Sequence, residues 1–442
     1  MASGKSALKR RDLYLNRLVA FQDTEPVKIV TGIRRCGKSS LMKLMAQHLR
    51  EQNIADDQII ELNFESMQYR SMDAAALYQH VQGLLPQGKR AYLFFDEIQL
   101  IPAWQDAVNS LRVDTDCDIY ITGSNAHLLS GEFSTYLAGR HVEINMLPLS
   151  FQEFLYFHGY TVARRESPSG GTRKHITNSA GEQYTPEELL QSYLTFGGMP
   201  GLADVGLDQE KAMTLLDGIY ATVVMRDILE REARRGQRRI TDPLLLRKII
   251  LFLADSIGSN TSMRSIGNTL VSEGMLDDRS RKGSPAVQTI QAYVAALTEA
   301  YVFYDVKRYD IKGKEYLRTL GKYYIVDLGL RNYLLGFRDM DRGHALENLV
   351  YFELLRQGWD VAIGKIGDKE VDFVATKPNQ KRYLQVTEHM QSEQTRQREF
   401  SALRRTQDSH QKLVIALHSD VSHTEDGIRI MKLTDFLLAD AI

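Results

Sequence analysis

The strongest chemical signal in the sequence is Gly32-Ile33-Arg34-Arg35-Cys36-Gly37-Lys38-Ser39, followed by Ser40. Two glycines, a lysine and a hydroxyl at this spacing form a phosphate cradle. The glycines let backbone amides turn inward around a β-phosphate, the lysine bridges β- and γ-phosphates, and the hydroxyl of Ser39 holds Mg²⁺. An apolar β-branched run, Val27–Thr31, leads into the loop, and Leu41, Leu44, Met45 and Leu49 mark one face of a helix leaving it. The helix N-terminus then adds its own partial positive charge. Residues Gly32 to Ser40 are therefore expected to contact a nucleotide, ATP or GTP. Arg34 and Arg35 either meet phosphate or face outward.

A second signal is Leu93-Phe94-Phe95-Asp96-Glu97. An apolar strand delivers Asp96 beside the metal, and Glu97 is placed to polarise an attacking water. The next apolar strand, Asp118–Thr122, ends in Gly123-Ser124-Asn125, where Ser124 or Asn125 either touches the γ-phosphate or only caps a turn. Arg140 precedes the last strand and is either a surface arginine or a finger reaching a neighbouring subunit's γ-phosphate. Arg226 is a weaker candidate for sensing nucleotide.

Strands to support these residues are expected at Val27–Thr31, Gln58–Phe64, Ala91–Phe95, Asp118–Thr122 and His141–Met146, with helices between them. Near-continuously apolar strands alternating with helices imply a parallel sheet covered on both faces. Thr161–Gln183 is polar and reads as a loop or mobile insertion. A long helix, Lys211–Arg235, ends in a basic run. Helices Pro243–Ile257, Met263–Val271 and Pro285–Ala300 followed by a hairpin give winged-helix order. Arg264, Arg281, Lys282, Gln288, Lys307 and Arg308 are its candidate DNA contacts, lysine and arginine meeting phosphates while the polar helix start enters a groove; the alternatives are a winged helix that meets only protein, or a merely solvated basic face.

The 442 residues exceed a single core and predict two to four domains. The composition, 43% hydrophobic and 25% charged, is that of a globular protein. No apolar run has the length of a membrane span, and the N-terminus lacks an apolar signal core. Cys36 and Cys117 cannot build a disulfide framework, so a reducing, cytoplasmic setting is expected. A net charge of −1 makes any nucleic-acid contact a matter of local patches. The histidines and cysteines show no paired spacing for structural zinc.

Thr31–Leu41, Leu93–Gln99, Ile121–Leu128, Leu137–Arg140 and Leu147–Phe154, with Gly197–Pro200 and Glu370–Phe373, resemble the prokaryotic AAA+ ATPases of the archaeal-type (MNS/STAND-neighbouring) group. The resemblance spans nearly the whole chain. It implies a Walker A motif at Gly32–Ser39, a Walker B motif at Asp96-Glu97, sensor 1 at Ser124 or Asn125, and Arg140 as the arginine finger of a ring, a hexamer being the usual form. It favours ATP, and implies a C-terminal nuclease-like domain.

That third region resembles the PD-(D/E)xK nuclease fold, whose logic is a helix acid, a strand acid, and an acid-x-Lys on the next strand, together holding Mg²⁺. Glu347 and Asp372 match. Gln385-Val386-Thr387 stands where Glu-x-Lys is required, so the domain is expected to be catalytically degenerate. The expected architecture is α/β: an AAA+ domain (1–160), a helical lid and basic helix (184–240), a winged helix (241–336) and a nuclease-like domain (337–442). The expected function is ATP hydrolysis coupled to DNA remodelling or translocation. The alternatives are a nucleotide-gated switch acting on protein, and an ATP-dependent nuclease.

Overall fold

The computed structural model describes residues 8–124, 139–166, 172–222, 228–229, 240, 242–272, 286–336, 342–390, 392–419 and 423–439. Asn125, Arg226, the basic run at 231–239, Arg281 and Lys282 lie outside the described residues. The chain divides into two compact units, Met1–Pro148 with Glu299–Tyr301, and Leu149–Thr298 with Val302–Ile442. The first division therefore falls at 148, where 160 was expected.

In the first unit, helix α1 (Asp12–Val19) precedes β1 (Val27–Thr31), α2 (Lys38–Glu51), β2 (Ile59–Asn63), α3 (Ala74–Gln82), β3 (Ala91–Asp96), α4 (Trp104–Asp114), β4 (Cys117–Thr122) and β5 (His141–Asn145). The strands form one sheet in the order β2-β3-β4-β1-β5, and every neighbouring pair is parallel. All five residues of β1 are buried, as a central strand covered on both faces requires. Leu93, Phe95, Ile119 and Ile121 pack with Val108 and Leu111 of α4 on one side of the sheet. The order places β4 between β1 and β3. Three strand tips, at Thr31, Asp96 and Thr122, therefore lie side by side at the carboxyl edge, where ligands bind in open parallel sheets.

The amino end of the same sheet holds a buried ion pair. Lys28 and Asp118 have fully buried side chains and their charged atoms are 2.5 Å apart. The Lys28 ammonium also donates to the Thr24 carbonyl (2.7 Å), and Asp118 accepts from the Tyr120 hydroxyl and the Asp23 amide (both 2.8 Å). Burial pulls the Lys28 ammonium below the usual lysine range, against the pull of Asp118.

The second unit opens with helix Phe151–Phe157, started by a capping box between Ser150 and Glu153. The segment expected to be a loop, Thr161–Gln183, is instead an antiparallel three-stranded sheet: β6 (Thr161–Glu166), β7 (Thr172–Thr177) and β8 (Gln183–Tyr184). Backbone pairing holds it, and Ile176 is its buried anchor. Helices Pro186–Phe196 and Gln209–Ile219 follow.

Helices Pro243–Asp255, Met263–Ser272 and Val287–Glu299 then lead into the hairpin β9 (Phe303–Asp310) and β10 (Glu315–Ile325), the expected order. The hairpin does not stand apart as a wing. β9 pairs in parallel with β11 (Asp360–Ile366), Arg308 opposite Ile363. β12 (Lys369–Lys377), β13 (Gln380–His389), β14 (Gln411–His418), β15 (His423–Glu425) and β16 (Ile428–Lys432) complete an eight-stranded sheet ordered β10-β9-β11-β12-β13-β14-β16-β15. The expected boundary at 336 thus cuts across one sheet.

A helix absent from the sequence reading, Leu328–Leu335, follows the hairpin and is capped by Asp327. Asp327 explains the Gly197-Gly198 pair. Its Oδ2 accepts from the Gly198 amide (2.6 Å) and its Oδ1 from the Leu330 amide (3.0 Å). Gly197 sits at φ +76°, and a Cβ there would lie 2.3 Å from Asp327 Oδ1. Burial raises the Asp327 carboxyl to about 6, against the pull of these amides.

Candidate functional site

The phosphate-loop residues are assembled as their spacing requires. Gly32, at φ +133°, passes so close to β5 that a Cβ would lie 2.1 Å from the Met146 carbonyl oxygen, so only glycine fits. Gly37, at φ +107°, opens α2, and Lys38 is its first residue. Lys38 is 4% exposed, and its ammonium folds back over the loop, donating to the carbonyls of Gly32 (3.0 Å) and Ile33 (3.2 Å). Ser39 is half-buried and Ser40 exposed. Arg34 is paired with Glu65, whereas Arg35 is exposed at φ +65°.

Cys36 is fully buried, and burial pushes its thiol up, which makes it a packing residue and not a thiolate. Its carbonyl accepts from Nη1 of Arg11 at 2.9 Å, and Nη2 of the same guanidinium reaches the Pro148 carbonyl at 3.3 Å. Arg11 is 3% exposed. It braces the loop from behind, a role no motif in the sequence announces.

Asp96 and Glu97 leave the tip of β3 in different directions. The Asp96 carboxylate accepts from Asn63 Nδ2 on β2 (3.0 Å) and from the Thr122 hydroxyl on β4. Thr122 Oγ1 also accepts from the Glu97 amide at 2.9 Å, so one buried hydroxyl fixes both acids. Glu97 adopts the left-handed region, φ +55° and ψ +45°, rare for a side-chain-bearing residue. That turn brings its carboxylate back toward β4, where Ser124 Oγ donates to Oε2 (3.1 Å), as does Gln99 Nε2. Hard oxygen donors at Ser39 and Asp96 suit Mg²⁺, and the neutral partners of Asp96 leave its charge uncompensated.

Arg140 lies at the other end of the sheet. Its carbonyl accepts from the Val27 amide (3.0 Å), at the start of β1, and its side chain is exposed. The five residues of β1, roughly 16 Å of strand, separate it from its own phosphate loop. Of the DNA candidates, Arg264, Gln288 and Lys307 are exposed, and Arg308 is half-buried near Glu370.

The residues of the nuclease pattern do converge. Glu347, on helix Arg342–Arg356, accepts from Lys322 Nζ (3.2 Å) and the Tyr324 hydroxyl (3.1 Å). Lys322 also reaches Glu370 at 2.9 Å. Asp372 Oδ2 accepts from the Val386 amide, and the Asp372 amide donates to Gln385 Oε1, both at 2.8 Å. Gln385 Nε2 donates to Glu399 at 3.1 Å. Burial and the nearby Glu347 raise the Asp372 carboxyl well above the carboxylate range, against the pull of Lys322. Burial opposes charge on Lys322, yet Glu347, Asp372 and Glu370 together hold its ammonium above the lysine range. Thr387 is buried and donates to the His389 carbonyl at 3.4 Å.

Residues 24–155 match a family model described as an AAA domain, and residues 187–341 match a domain of unknown function. An uncharacterized protein of Haemophilus influenzae is 37% identical over 98% of this chain and 99% of its own length. Two solved structures are remotely similar: Cdc6p of Pyrobaculum aerophilum and the Orc1 protein of Aeropyrum pernix in complex with DNA. The first is 11% identical with a TM-score of 0.30, covering 73% of this chain and 91% of that one. The second is 12% identical with a TM-score of 0.30, covering 78% and 94%. With the sheet order, the phosphate loop and the paired acids in place, the chain belongs to the same family as the Haemophilus influenzae protein and carries a P-loop domain of AAA type over residues 24–155.

Proposed function

We propose that this protein hydrolyses ATP with Mg²⁺ in an oligomeric ring and couples the cycle to remodelling or translocating DNA. The observation that carries the hydrolytic part is the placement of Lys38, just after β1, and of Asp96 and Glu97, at the end of β3, at the same sheet edge with only β4 between the two strands. Lys38 exchanges the Gly32 and Ile33 carbonyls for β- and γ-phosphate oxygens. Ser39 and Asp96 would hold Mg²⁺, which would neutralise phosphate charge. Glu97 orients the attacking water in line with the γ-phosphate, and Ser124 reports its presence.

Arg140 is too far from its own loop to serve it, which supports a role on a neighbouring subunit. Mixing inactive Arg140→Ala with inactive Lys38→Ala should then restore some hydrolysis, and no recovery in the mixture counts against action in trans. The DNA part is supported by exposed Arg264, Lys307, Lys312 and Lys314 in the three-helix and hairpin region.

A second reading, a slow nucleotide-gated switch acting on a protein, is favoured by the grip of Ser124 and Gln99 on Glu97. ATP hydrolysis measured alone and with single-stranded, duplex and four-way-junction DNA, at low and moderate salt, separates the two. Stimulation by one DNA form supports the motor; indifference to every form supports the switch.

A further inference from the structure

The nuclease-like cluster contains a residue that its motif does not predict. Lys322 comes from β10, outside the region that resembles the nuclease fold, and its side chain is 5% exposed. Its ammonium stands between Glu347 on the helix and Glu370 on β12, at 3.2 and 2.9 Å. These are the elements from which a PD-(D/E)xK fold presents its acids to a divalent ion.

Other polar atoms of the cluster are hydrogen-bonded as well. Glu347 Oε2, besides Lys322, takes the Tyr324 hydroxyl. Asp372 Oδ2 takes a backbone amide. Gln385, neutral where a nuclease has a carboxylate, has its oxygen on the Asp372 amide and its nitrogen on Glu399. Glu399 is in turn bonded by Arg398, at 3.0 and 2.7 Å. A dication site needs several oxygen lone pairs and unbalanced negative charge. Here an ammonium already offsets part of the negative charge and occupies the space between the acids, and the third carboxylate position is neutral. The donor set does not fit Mg²⁺.

We infer that Lys322 is the resident cation of this cluster, a covalently attached replacement for the exchangeable metal of the nuclease fold. It ties β10, helix Arg342–Arg356 and β12 together without any ion. The domain therefore holds its shape without a metal and performs no metal-dependent phosphodiester cleavage. The inference is independent of the ATPase reading, since no residue of the phosphate loop takes part.

The test is Mn²⁺ binding followed by electron paramagnetic resonance in the full chain, freed of nucleotide. Wild type, Glu347→Gln and Asp372→Asn should bind Mn²⁺ equally weakly. Lys322→Gln strips the cation from the carboxylates and should gain one site, tighter than wild type by at least roughly tenfold. Adding Asp372→Asn to that variant should abolish the gain. A wild-type site of one Mn²⁺ per chain, released by Glu347→Gln or Asp372→Asn, overturns the inference and makes the cluster a metal centre. A folded Lys322→Gln that gains no site also overturns it. Should Lys322→Gln fail to fold, the comparison of wild type with the two carboxylate variants decides alone.

Discussion

Ser124 Oγ donates to Glu97 Oε2 across 3.1 Å, linking the tip of β4 to the residue after β3. In the proposed cycle, the acid that polarises water is thus in direct contact with the residue that senses the γ-phosphate. Glu97→Gln should keep ATP binding and lower turnover about 10²–10⁴-fold, the usual worth of a general base. Ser124→Ala should give a smaller loss with binding intact. Single-turnover hydrolysis beside a nucleotide-binding titration checks both, and unchanged hydrolysis in Glu97→Gln would remove it from the role.

Arg11 predicts a different signature. Truncation to alanine leaves the buried Cys36 carbonyl without its guanidinium partner, a loss of about 1–3 kcal/mol in loop order. The cost should appear as weaker ATP affinity with kcat little changed, and Arg11→Lys should recover part of it. Equal affinity across the three proteins would show that the brace is immaterial.

The Lys28–Asp118 pair is a stability element far from the strand tips. Asp118→Asn strands a buried ammonium and should destabilise the first unit by about 3–5 kcal/mol. Lys28→Met combined with Asp118→Leu should recover much of that loss. Denaturant unfolding of wild type and these two variants checks both expectations.

Asp327 gives a pH dependence of definite sign. Its folded carboxyl titrates at about 6, above the ordinary 3.8, so the folded state binds the proton more tightly than the unfolded chain. Its contribution is a penalty above about pH 6 that is relieved as pH falls toward 4. Relative to Asp327→Asn, which cannot titrate, wild-type stability should therefore rise over that window, by at most about 3 kcal/mol. A pH-independent difference between the two would contradict the assignment.

The phosphate loop and Asp96-Glu97 were legible in sequence because their chemistry is local: fixed residue types next to an apolar strand and a helix start. Thr122, Asn63 and Arg11 were not, because their roles arise from sheet order and from a preceding helix. Thr122 left a faint trace as the hydroxyl ending an apolar strand. β6 to β8 were missed since a small polar sheet, held by backbone pairing, has no apolar alternation to read. Gln385 and Thr387 were visible at once as departures from the acid-x-Lys pattern. Lys322 was invisible because a cation delivered from a different hairpin obeys no spacing rule.

The sheet that runs through β9 into β11 also limits how this chain can be divided. A polypeptide beginning at residue 337 would have β11 as a bare edge, with its backbone amides and carbonyls facing β9 left unpaired. Such an edge recruits whatever strand it meets, so the fragment should self-associate or precipitate, whereas one beginning at 242 carries its own cover. Recombination at 336 would be punished in the same way. The three helices, the hairpin and the nuclease-like region are therefore expected to travel through descent as one inheritable block.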